Sequence, residues 1–380
     1  MRNILVFFGG KSVEHDVSII TGVLTLNSLD KALYNPIPVY VDKEGKWLSG
    51  EELFDIGNFK KKEFKKLKKV TLIAGDNSLY YVNKNRLKKG EIIYASINCM
   101  HGLNGEDGAL IGALKMSGIA FASPDIFGSS LSIDKDYTKI FLSGIGVDKL
   151  PYVRILRSNY YEKKETAIRL VERKFSYPVI VKPANLGSSI GISTAKNKLE
   201  LLSALDGAFL YDDKVIVEKE LVGFKEINCG AYKLKDKIIV SECEEPITKN
   251  EILSFNDKYL GYKTGSNKKF PADIPIDVRN KIQQVTEKIY RKADFNGVIR
   301  IDYILFDGKI YVNEINTVPG SLAYYLFVDT IKDFSLFLTS LIEEGVKKHR
   351  EYINRKFLYS SNILNGFGNK GSKLKKVDKN

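Results

Sequence analysis

The sequence contains few cysteines and no long apolar run, and each absence excludes a class of protein. Its three cysteines, Cys99, Cys229 and Cys243, are odd in number, widely spaced and free of any Cys-x-x-Cys pattern. Neither a disulfide framework nor a zinc site is therefore predicted, and we expect reduced, buried thiols. The early apolar run at residues 4–8 is too short for a secretory signal, and no stretch reaches the roughly 20 apolar residues of a membrane-spanning helix. These absences predict a cytoplasmic protein with no membrane partner.

Two nucleotide-binding motifs are absent as well. Residues 10–12 read Gly-Lys-Ser, like the end of a phosphate-binding P-loop. The full motif, Gly-x-x-x-x-Gly-Lys, places another glycine where this chain has Leu5. No Gly-x-Gly-x-x-Gly follows the first predicted strand either, so the dinucleotide-binding fingerprint is also missing.

Positive charge is in excess, and it is concentrated in two segments. The 380 residues include 59 Lys plus Arg and 46 Asp plus Glu, a formal net charge of +13. The surplus falls mainly at residues 60–69 and in the tail at residues 355–379. Neither segment interleaves the aromatics with which strand-binding proteins stack on bases, so we interpret both as solvated surface and predict no nucleic-acid partner. Nucleic-acid binding through these segments is the alternative, and its affinity would fall steeply with salt.

Alternating strand and helix patterns predict an α/β chain with more than one domain. At 42.9 kDa the chain exceeds what a single core usually serves. Apolar runs at residues 4–8, 37–41 and 92–97 are typical of buried strands, and a helix pattern at residues 13–29 separates the first two. This order predicts a doubly wound N-terminal domain.

The later part of the chain also contains both strand and helix patterns. Further strands are predicted at residues 179–182 and 215–218. An amphipathic helix over residues 278–289 comes next, and a β-hairpin spans residues 298–315. A last helix through residues 334–341 precedes the basic tail.

Polar residues alternate along both strands of this hairpin. Arg300 and Asp302 lie on the first strand. Glu314 and Asn316 lie on the second, and alternation puts each pair on one face of its strand. Two carboxylates and a guanidinium are costly to bury unless a dication and a phosphate compensate them, and Asp, Glu and Asn supply oxygen ligands for Mg²⁺. An exposed ladder of cross-strand ion pairs is the alternative.

Shared metal binding depends on the register of the hairpin. A two-residue loop at residues 307–308 would place Asp302 and Glu314 on opposite faces of the sheet. A three-residue loop at residues 306–308, with Gly308 in the left-handed conformation and a G1 bulge, would place them on one face. We therefore predict the three-residue loop.

A glycine-serine loop at residues 187–191 follows the strand that ends at Lys182. In a nucleotide cradle, Lys182 would hold one phosphate while backbone N–H groups and the Ser188 hydroxyl cover the others. A flexible turn beside a solvated lysine is the alternative.

In their order along the chain, these motifs resemble those of the D-alanine–D-alanine ligase family of the ATP-grasp superfamily. The matching segments are GGKSVEHDVS (9–18), HGLNGEDG (101–108), DK (134–135), VKP (181–183) with GSS (187–189), EK (218–219), KY (258–259), RID (300–302) and NEINTVPG (313–320). The first two segments distinguish this family from other ATP-grasp enzymes, and the resemblance extends from residue 3 to about residue 330.

The resemblance implies an α/β fold with α+β character in the C-terminal part. An N-terminal doubly wound parallel-sheet domain is expected to precede a two-subdomain ATP-grasp fold. The expected boundaries are an N-terminal α/β domain at residues 1–98, linker helices with the central ATP-grasp subdomain at residues 99–215, the C-terminal ATP-grasp subdomain at residues 216–350, and a weakly ordered basic tail at residues 351–380.

The implied function is ATP- and Mg²⁺-dependent ligation of D-alanine to D-alanine through an acylphosphate, for peptidoglycan precursors. The implied partners are ATP and small amino-acid substrates. The implied metals are two Mg²⁺ ions, with Mn²⁺ as the alternative ion. A cytoplasmic homodimer is the form that the resemblance suggests.

The resemblance also implies a role for each matching residue. For ATP, the phosphates would be bound by Lys135 and Lys182, and the ribose by Glu226. The adenine pocket would be lined by Glu218, Lys219 and Leu221. Further contacts to ATP would come from Ser188, Ser189 and Lys258. For the substrates, the implied residues are Glu14 with Ser188 at the first ammonium, Tyr259 on a lid, and Arg300 with the Gly320 backbone N–H at the oxyanion. The implied Mg²⁺ ligands are Asp302, Glu314 and Asn316. Structural alternatives are a helix-start carboxylate for Glu14 and a packing aromatic for Tyr259.

The sequence departs from the family pattern where the second substrate would bind. Family members usually carry a serine at the position of Tyr325, where it helps to bind the acceptor carboxylate, and a glutamine at the position of Ile111. Donor activation therefore looks intact, whereas the identity of the acceptor does not follow. A ligase with a different acceptor and a non-catalytic nucleotide-binding homologue stay open as alternatives.

Overall fold

The structure is a computed structural model that describes residues 1–247 and 268–367. In chain order the strands are β1 (Arg2–Gly9), β2 (Tyr34–Val41), β3 (Trp47–Ser49), β4 (Lys68–Ile73), β5 (Asp76–Asn83), β6 (Arg86–Ile92), β7 (Ala95–Asn98), β8 (Ala120–Phe121), β9 (Tyr152–Leu156), β10 (Val179–Pro183), β11 (Ser193–Ala195), β12 (Lys214–Lys219), β13 (Lys225–Leu234), β14 (Lys237–Val240), β15 (Glu245–Pro246), β16 (Lys268–Lys269), β17 (Ile299–Phe306) and β18 (Lys309–Asn316). The helices are α1 (His15–Ser28), α2 (Ile56–Lys61), α3 (Ala109–Met116), α4 (Ile126–Ile133), α5 (Lys135–Gly144), α6 (Arg157–Glu162), α7 (Lys164–Lys174), α8 (Lys198–Ala208), α9 (Ile276–Lys292) and α10 (Ile331–Ile353). Short 3₁₀ segments lie at Glu51–Phe54, Gly320–Leu326 and Ile363–Gly366.

The first sheet has eight strands in the order β6-β5-β4-β3-β2-β1-β7-β8. Its centre is parallel, because β2 and β7 run parallel to β1 and β8 runs parallel to β7. Residues 4–8 of β1 are fully buried, as expected for a strand covered on both faces. The predicted doubly wound arrangement is confirmed in this part of the sheet.

An antiparallel half, β3 to β6, extends this sheet and was not predicted from the sequence. Its strands mix apolar residues with lysines and other polar residues, so they lack the continuous runs of the parallel centre. The strand predicted at residues 92–97 is confirmed only in its second half, because β6 ends at Ile92 and the buried strand β7 begins at Ala95. Between them the chain leaves one edge of the sheet and crosses to the far side of β1.

The basic stretch at residues 60–69 covers the end of α2, a loop and the start of β4. Most of its lysines are exposed, as predicted. Phe59 and Phe64 pack edge to face with their ring centres 5.0 Å apart, and Phe59 also contacts Tyr40. These rings anchor the segment to the first sheet, so they are not available for stacking on bases.

Two four-stranded sheets follow, and the cleft between them holds the candidate site. The second sheet has the order β11-β10-β12-β9, and the third has the order β14-β13-β17-β18. Helix α8 packs on the second sheet, and α9 packs on β13 and β14 of the third. Ile282 and Ile289 of α9 are fully buried in the core of the third sheet, which confirms the predicted amphipathic face.

The β17–β18 hairpin brings its polar residues to one face by a different route from the one predicted. The three-residue loop is wrong, because Phe306 pairs with Lys309 and the loop contains only Asp307 and Gly308, with φ of 50° and 68°. Such a pair of left-handed residues forms a type I′ turn. The register shifts instead further along β18, between Asp302 and Tyr303 on the partner strand, and leaves Asn313 as the extra residue of a β-bulge.

Helix α10 returns from the third sheet to the first. Phe334, Leu338 and Leu341 of α10 lie in one apolar core with Ile4 and Phe8 of β1, so the predicted last helix is confirmed. The apolar core on one face of the first sheet is therefore completed by a helix from near the other end of the chain.

Two further expectations bear on the class of protein. Cys99, Cys229 and Cys243 are buried and free, as predicted. Within residues 1–247 and 268–367, none of the helices has the length and apolar character needed to cross a bilayer. The predicted tail at residues 351–380 is described only as far as residue 367, so most of its lysines lie outside the described residues.

Close packing of α1 on β1 gives a test of this fold. A Cβ atom at Gly22 would lie 2.3 Å from Cγ of Phe8, whereas a Cβ atom at Gly207 in α8 would have nothing within 4 Å. We expect Gly22→Ala to destabilise the protein by about 1–3 kcal/mol through overpacking. Gly207→Ala is the matched control and should be neutral or stabilising by up to about 1 kcal/mol. Thermal unfolding of both variants checks this, and an unchanged midpoint for Gly22→Ala would contradict the packing.

Candidate active site

The candidate site is a cleft between the second and third sheets. Its empty volume is about 890 Å³, part of which is open to solvent. Residues of both sheets and of the glycine-serine loop line it. Among them are these residues singled out from the sequence: Lys135, Lys182, Ser189, Glu218, Lys219, Leu221, Glu226 and Glu314. The sequence motifs, which are far apart along the chain, thus meet in one cleft.

Lys182 occupies the floor of the cleft and contacts both sheets. It lies on β10 and is 8% exposed. Its Nζ donates a 2.6 Å hydrogen bond to Oε2 of Glu218 on the neighbouring β12, and it lies 3.5 Å from Oδ1 of Asn313 on β18. Asn313 is the bulge residue of the hairpin, so the bulge also places a polar group beside this lysine.

The other carboxylate oxygen of Glu218 forms an ion pair with a second lysine. Oε1 of Glu218 lies 2.5 Å from Nζ of Lys139, and both side chains are almost fully buried. Burial alone would raise the pKa of Glu218, but the charges of Lys182 and Lys139 outweigh it and lower that pKa to about 2. Glu218 is therefore ionised, and it sits between two lysines.

Lys135 and the glycine-serine loop meet at the mouth of the cleft. Lys135 is the first residue of α5, and its Nζ donates to the carbonyl oxygen of Leu186. Asp134 caps this helix by accepting hydrogen bonds from two backbone N–H groups at 3.0 and 3.1 Å. In the loop, Ser188 and Ser189 have left-handed φ values of 54° and 58°. This conformation turns the loop over the cleft.

The same loop contacts Glu14 of the first sheet. Glu14 precedes α1 and is 6% exposed. The Ser188 hydroxyl donates to Oε1 of Glu14, and a Cβ atom at Gly187 would lie 2.9 Å from Oε2. Only glycine at residue 187 lets the backbone approach this carboxylate so closely. The loop therefore has the lysine cleft on one side and the Glu14 carboxylate on the other.

A second carboxyl group, that of Glu106, lies beside Glu14. Its oxygens accept hydrogen bonds from the N–H of Gly102 at 2.9 Å and of Val318 at 3.0 Å. Burial of the carboxyl group, with the nearby charge of Glu14, raises the pKa of Glu106 to about 8 even though those two N–H donors oppose the shift. Glu106 is thus a neutral acid at neutral pH, and it ties the loop of the first sheet to the end of the hairpin.

The hairpin residues form a compact polar cluster. Asp302 pairs directly with Glu314 across the strands and is fully buried. Arg300 donates to both oxygens of Asp302, at 2.7 and 2.8 Å, and Nδ2 of Asn316 donates to it at 3.1 Å. The expectation that these four residues share one face is borne out by the cross-strand pairing.

This cluster fits a Mg²⁺ ion that is shared with a ligand. In the described residues no group of three or more His, Cys, Asp or Glu side chains gathers around one point. The two carboxylates of Asp302 and Glu314 and the amide of Asn316 are hard oxygen donors. Mg²⁺ is commonly held by one or two carboxylates together with substrate phosphates, and Glu314 lines the same cleft as Lys135 and Lys182.

The segment after the hairpin is strained and contacts Arg300. Ser321, Leu322 and Ala323 all have left-handed φ values, between 48° and 53°, a conformation that is unfavourable for residues other than glycine. The Ser321 N–H donates to Oγ1 of Thr21 at 3.1 Å, which fixes the turn against α1. Further along the turn, the hydroxyl of Tyr325 accepts a hydrogen bond from Arg300 at 3.3 Å.

His101 completes the polar wall on the first sheet. Its Nε2 lies 3.1 Å from Oγ1 of Thr21, which in turn accepts from Ser321. Burial and the charge of Arg300 lower the pKa of His101 to about 3, so the imidazole is neutral. A neutral ring adds no positive charge beside Arg300.

Two of the residues singled out from the sequence, Lys258 and Tyr259, lie outside the described residues. Three residues that were not singled out from the sequence lie next to site residues: Lys139 contacts Glu218, Asn313 lies 3.5 Å from Lys182, and Glu106 lies beside Glu14. Lys139 lies four residues after Lys135 in α5, a spacing that puts both on one helix face and could have identified it. The role of Asn313 depends on the bulge, which leaves no signal in the sequence.

A doubly wound sheet followed by two four-stranded sheets around a cleft of lysines and carboxylates is the arrangement of an ATP-grasp carboxylate–amine ligase. Residues 3–124 match the D-ala D-ala ligase N-terminus family, and residues 141–347 match the D-ala D-ala ligase C-terminus family. The chain therefore belongs to the D-alanine–D-alanine ligase family. Members of this family depend on ATP and a divalent metal.

Individual relatives agree over nearly the whole chain. The D-alanine–D-alanine ligase of Thermosipho melanesiensis is 37% identical, over 92% of this chain and 95% of its own length. Among solved structures, D-alanine–D-alanine ligase from Helicobacter pylori is similar with a TM-score of 0.74 and 30% identity, covering 90% of this chain and 98% of that one. The VanG D-Ala:D-Ser ligase from Enterococcus faecalis has a TM-score of 0.73 and 26% identity, covering 92% and 99%.

The raised pKa of Glu106 predicts a pH dependence of stability. Its folded-state value of about 8 exceeds the ordinary 4.5, so the bound proton stabilises the fold at low pH and this contribution is lost as the pH rises from 4.5 to 8. Glu106→Gln keeps the neutral state at every pH. We expect its stability relative to wild type to rise across this window by up to about 1.4 kcal/mol per pH unit.

Thermal unfolding of both proteins between pH 5 and pH 8.5 measures this effect. The pH 5 values serve as the reference, because Glu106 is then neutral in wild type as well. A difference between the two proteins that does not change with pH would contradict a protonated Glu106.

Proposed function

We propose that this chain is a D-alanine–D-alanine ligase that makes the dipeptide for peptidoglycan precursors. One observation carries the proposal: the loop at residues 187–191 contacts the Glu14 carboxylate on one side and lines the lysine cleft on the other. A small amino acid held at Glu14 would therefore lie next to phosphates held in the cleft. This proximity is what phosphorylation of a substrate carboxylate requires.

ATP would bind along the cleft between the two sheets. Its phosphates would be held by Lys135 and Lys182 and covered by the backbone and hydroxyls of Ser188 and Ser189. Its adenine would lie against Leu221 and the segment around Glu218 and Lys219, and its ribose against Glu226. All of these residues except Ser188 line the cleft, which supports this placement. Lys258 would add a further contact.

Asp302, Glu314 and Asn316 would hold the divalent metal, as a pair of Mg²⁺ ions or of Mn²⁺ in their place. When bound, the metal would neutralise charge between the γ-phosphate and the substrate carboxylate, two anions that otherwise repel. Because Arg300 binds both oxygens of Asp302 in the structure, the guanidinium would have to share this carboxylate with the cation.

The reaction itself would proceed in two displacements. An oxygen of the first D-alanine's carboxylate attacks the γ-phosphorus, the bond to the bridging oxygen breaks, and ADP leaves. The amine of the second D-alanine then attacks the acyl carbon, loses a proton, and expels phosphate as the amide bond forms. Glu14, with Ser188, would pair with the ammonium of the first substrate. Arg300 and the Gly320 N–H would stabilise the oxyanion of the tetrahedral intermediate.

Water has to be excluded while the acylphosphate exists, because hydrolysis would waste ATP. Tyr259 would contribute to this exclusion from a lid over the site. We also expect the enzyme to act as a homodimer in the cytoplasm, the form suggested by its family.

The acceptor subsite is where this sequence departs from the usual pattern of its family. Tyr325 stands where the family usually has a serine, and its hydroxyl accepts a 3.3 Å hydrogen bond from Arg300. The Lys268 ammonium lies 4.4 Å from the centre of the same ring. A second substrate that bound Arg300 at this point would therefore have to displace or share the Tyr325 hydroxyl. A D-hydroxyamino acid such as D-serine is the second candidate acceptor, since a D-Ala:D-Ser ligase is among the structural neighbours.

Mass spectrometry of the products formed from ATP, Mg²⁺ and D-alanine tests the proposed function. We expect the D-alanine dipeptide with one ADP released per dipeptide, and a panel of other D-amino acids and D-hydroxy acids identifies any different acceptor. Arg300→Met should lower kcat by about 100-fold or more, the usual cost of losing an oxyanion donor. Arg291→Met, at an exposed helix position, is the matched control. Absence of D-alanine-dependent ATP consumption in wild type would overturn the proposal.

Substitution of Tyr325 tests the acceptor subsite separately. Tyr325→Phe removes the hydroxyl that Arg300 bonds, and we expect the KM for the second substrate to change at least about threefold, because one polar contact is worth about 1 kcal/mol. The KM for the first substrate should stay the same. Tyr324→Phe is the matched control, since the neighbouring ring stacks on Phe334 at 4.4 Å. Equal changes for both substrates would argue against an acceptor-specific role.

A further inference from the structure

Lys139 is a buried cation that none of the proposed chemistry uses. Its side chain is 2% exposed, in the interior behind the cleft, and its Nζ lies 2.5 Å from Oε1 of Glu218. The same ammonium faces the ring of Tyr152, 5.6 Å from its centre. Burial lowers the pKa of Lys139, and the negative charge of Glu218 opposes this shift and favours the charged ammonium.

Glu218 connects this buried cation to the cleft. Its Oε1 contacts Lys139, while its Oε2 accepts the 2.6 Å hydrogen bond from Lys182. Each oxygen thus has its own lysine, and the three side chains carry a net charge of +1. Without Lys139, the remaining pair of Glu218 and Lys182 would be neutral.

The consequence concerns the charge that a nucleotide would meet. A lysine paired with its own carboxylate attracts a phosphate only weakly, because the carboxylate repels the same phosphate nearby. Inside a protein this cancellation is poorly screened by water. A second cation on the far side of the carboxylate removes this cancellation, because it neutralises the carboxylate.

We propose that Lys139 is a positioning residue that neutralises Glu218, so that Lys182 keeps its positive charge and its orientation toward the nucleotide phosphates. This inference rests on the proposed function only in placing phosphates at Lys182. Lys139 itself touches no substrate.

The test compares a ligand with phosphates to one without. ADP and adenosine compete in the full-length protein with a fluorescent nucleotide, in the presence of Mg²⁺. For Lys139→Met we expect the affinity for ADP to fall about tenfold, which corresponds to about 1.4 kcal/mol, while adenosine binding stays within about twofold. Lys139→Arg should retain ADP binding. Lys139→Gln, which has no charge but keeps a polar group beside Glu218, should lose ADP affinity to a similar extent as Lys139→Met.

Controls separate this role from general damage. Lys164→Met removes a lysine that pairs with Asp206 at the surface and should leave both affinities unchanged. If Lys139→Met does not fold, Lys139→Gln carries the same comparison of ADP with adenosine, because its amide can still donate a hydrogen bond to Glu218.

Three outcomes would overturn the inference: unchanged ADP affinity in the uncharged Lys139 variants, equal losses for ADP and adenosine, or a tenfold loss of ADP affinity in Lys139→Arg. None of them depends on turnover. A wild-type protein that binds ADP but ligates nothing would overturn the proposed function and leave this inference standing.

Discussion

The bulge in β18 is the constraint on which the polar cluster depends. Because the hairpin loop contains two residues, a regular ladder would put Asp302 and Glu314 on opposite faces of the sheet. The extra residue, Asn313, reverses the alternation for the rest of β18, so that the carboxylates face each other beneath the cleft. It also reaches Lys182 on the other sheet. A single inserted residue thus brings Asp302 and Glu314 to one face and also places the Asn313 side chain beside Lys182.

Charge in this molecule falls into two unrelated populations. The surplus that gives the net charge of +13 lies largely on exposed lysines such as those at residues 60–69, and contributes little to the cleft. The cleft instead uses a few buried cations, among them Lys182 and Lys139, which share the carboxylate of Glu218. Buried pairs of this kind contribute less to stability than to the placement of charge where a ligand would bind.

Much of the architecture was predictable from the sequence, because local patterns determine it. Continuous apolar runs identified β1, and helical periodicity identified α9 and α10. The motifs that meet in the cleft were found by their order along the chain, which reflects shared ancestry. The loop length of the hairpin was wrong, since two different backbone solutions, a longer turn or a bulge, satisfy the same alternation. Glu106 was missed because its importance comes from neighbours distant in sequence, whereas the spacing of Lys139 from Lys135 was a signal that was overlooked.

The return of α10 to the first sheet has a consequence for how the chain acquires its structure. The core beneath β1 combines Ile4 and Phe8 with Phe334, Leu338 and Val346, more than three hundred positions later. During synthesis the N-terminal strands therefore leave the ribosome long before the helix that covers them exists. Contacts of such long range are slow to form, and the waiting strands expose apolar surface. We therefore expect the nascent chain to stay prone to aggregation until α10 has been synthesised and packs on these strands. Synthesis of the N-terminal domain alone does not end that period.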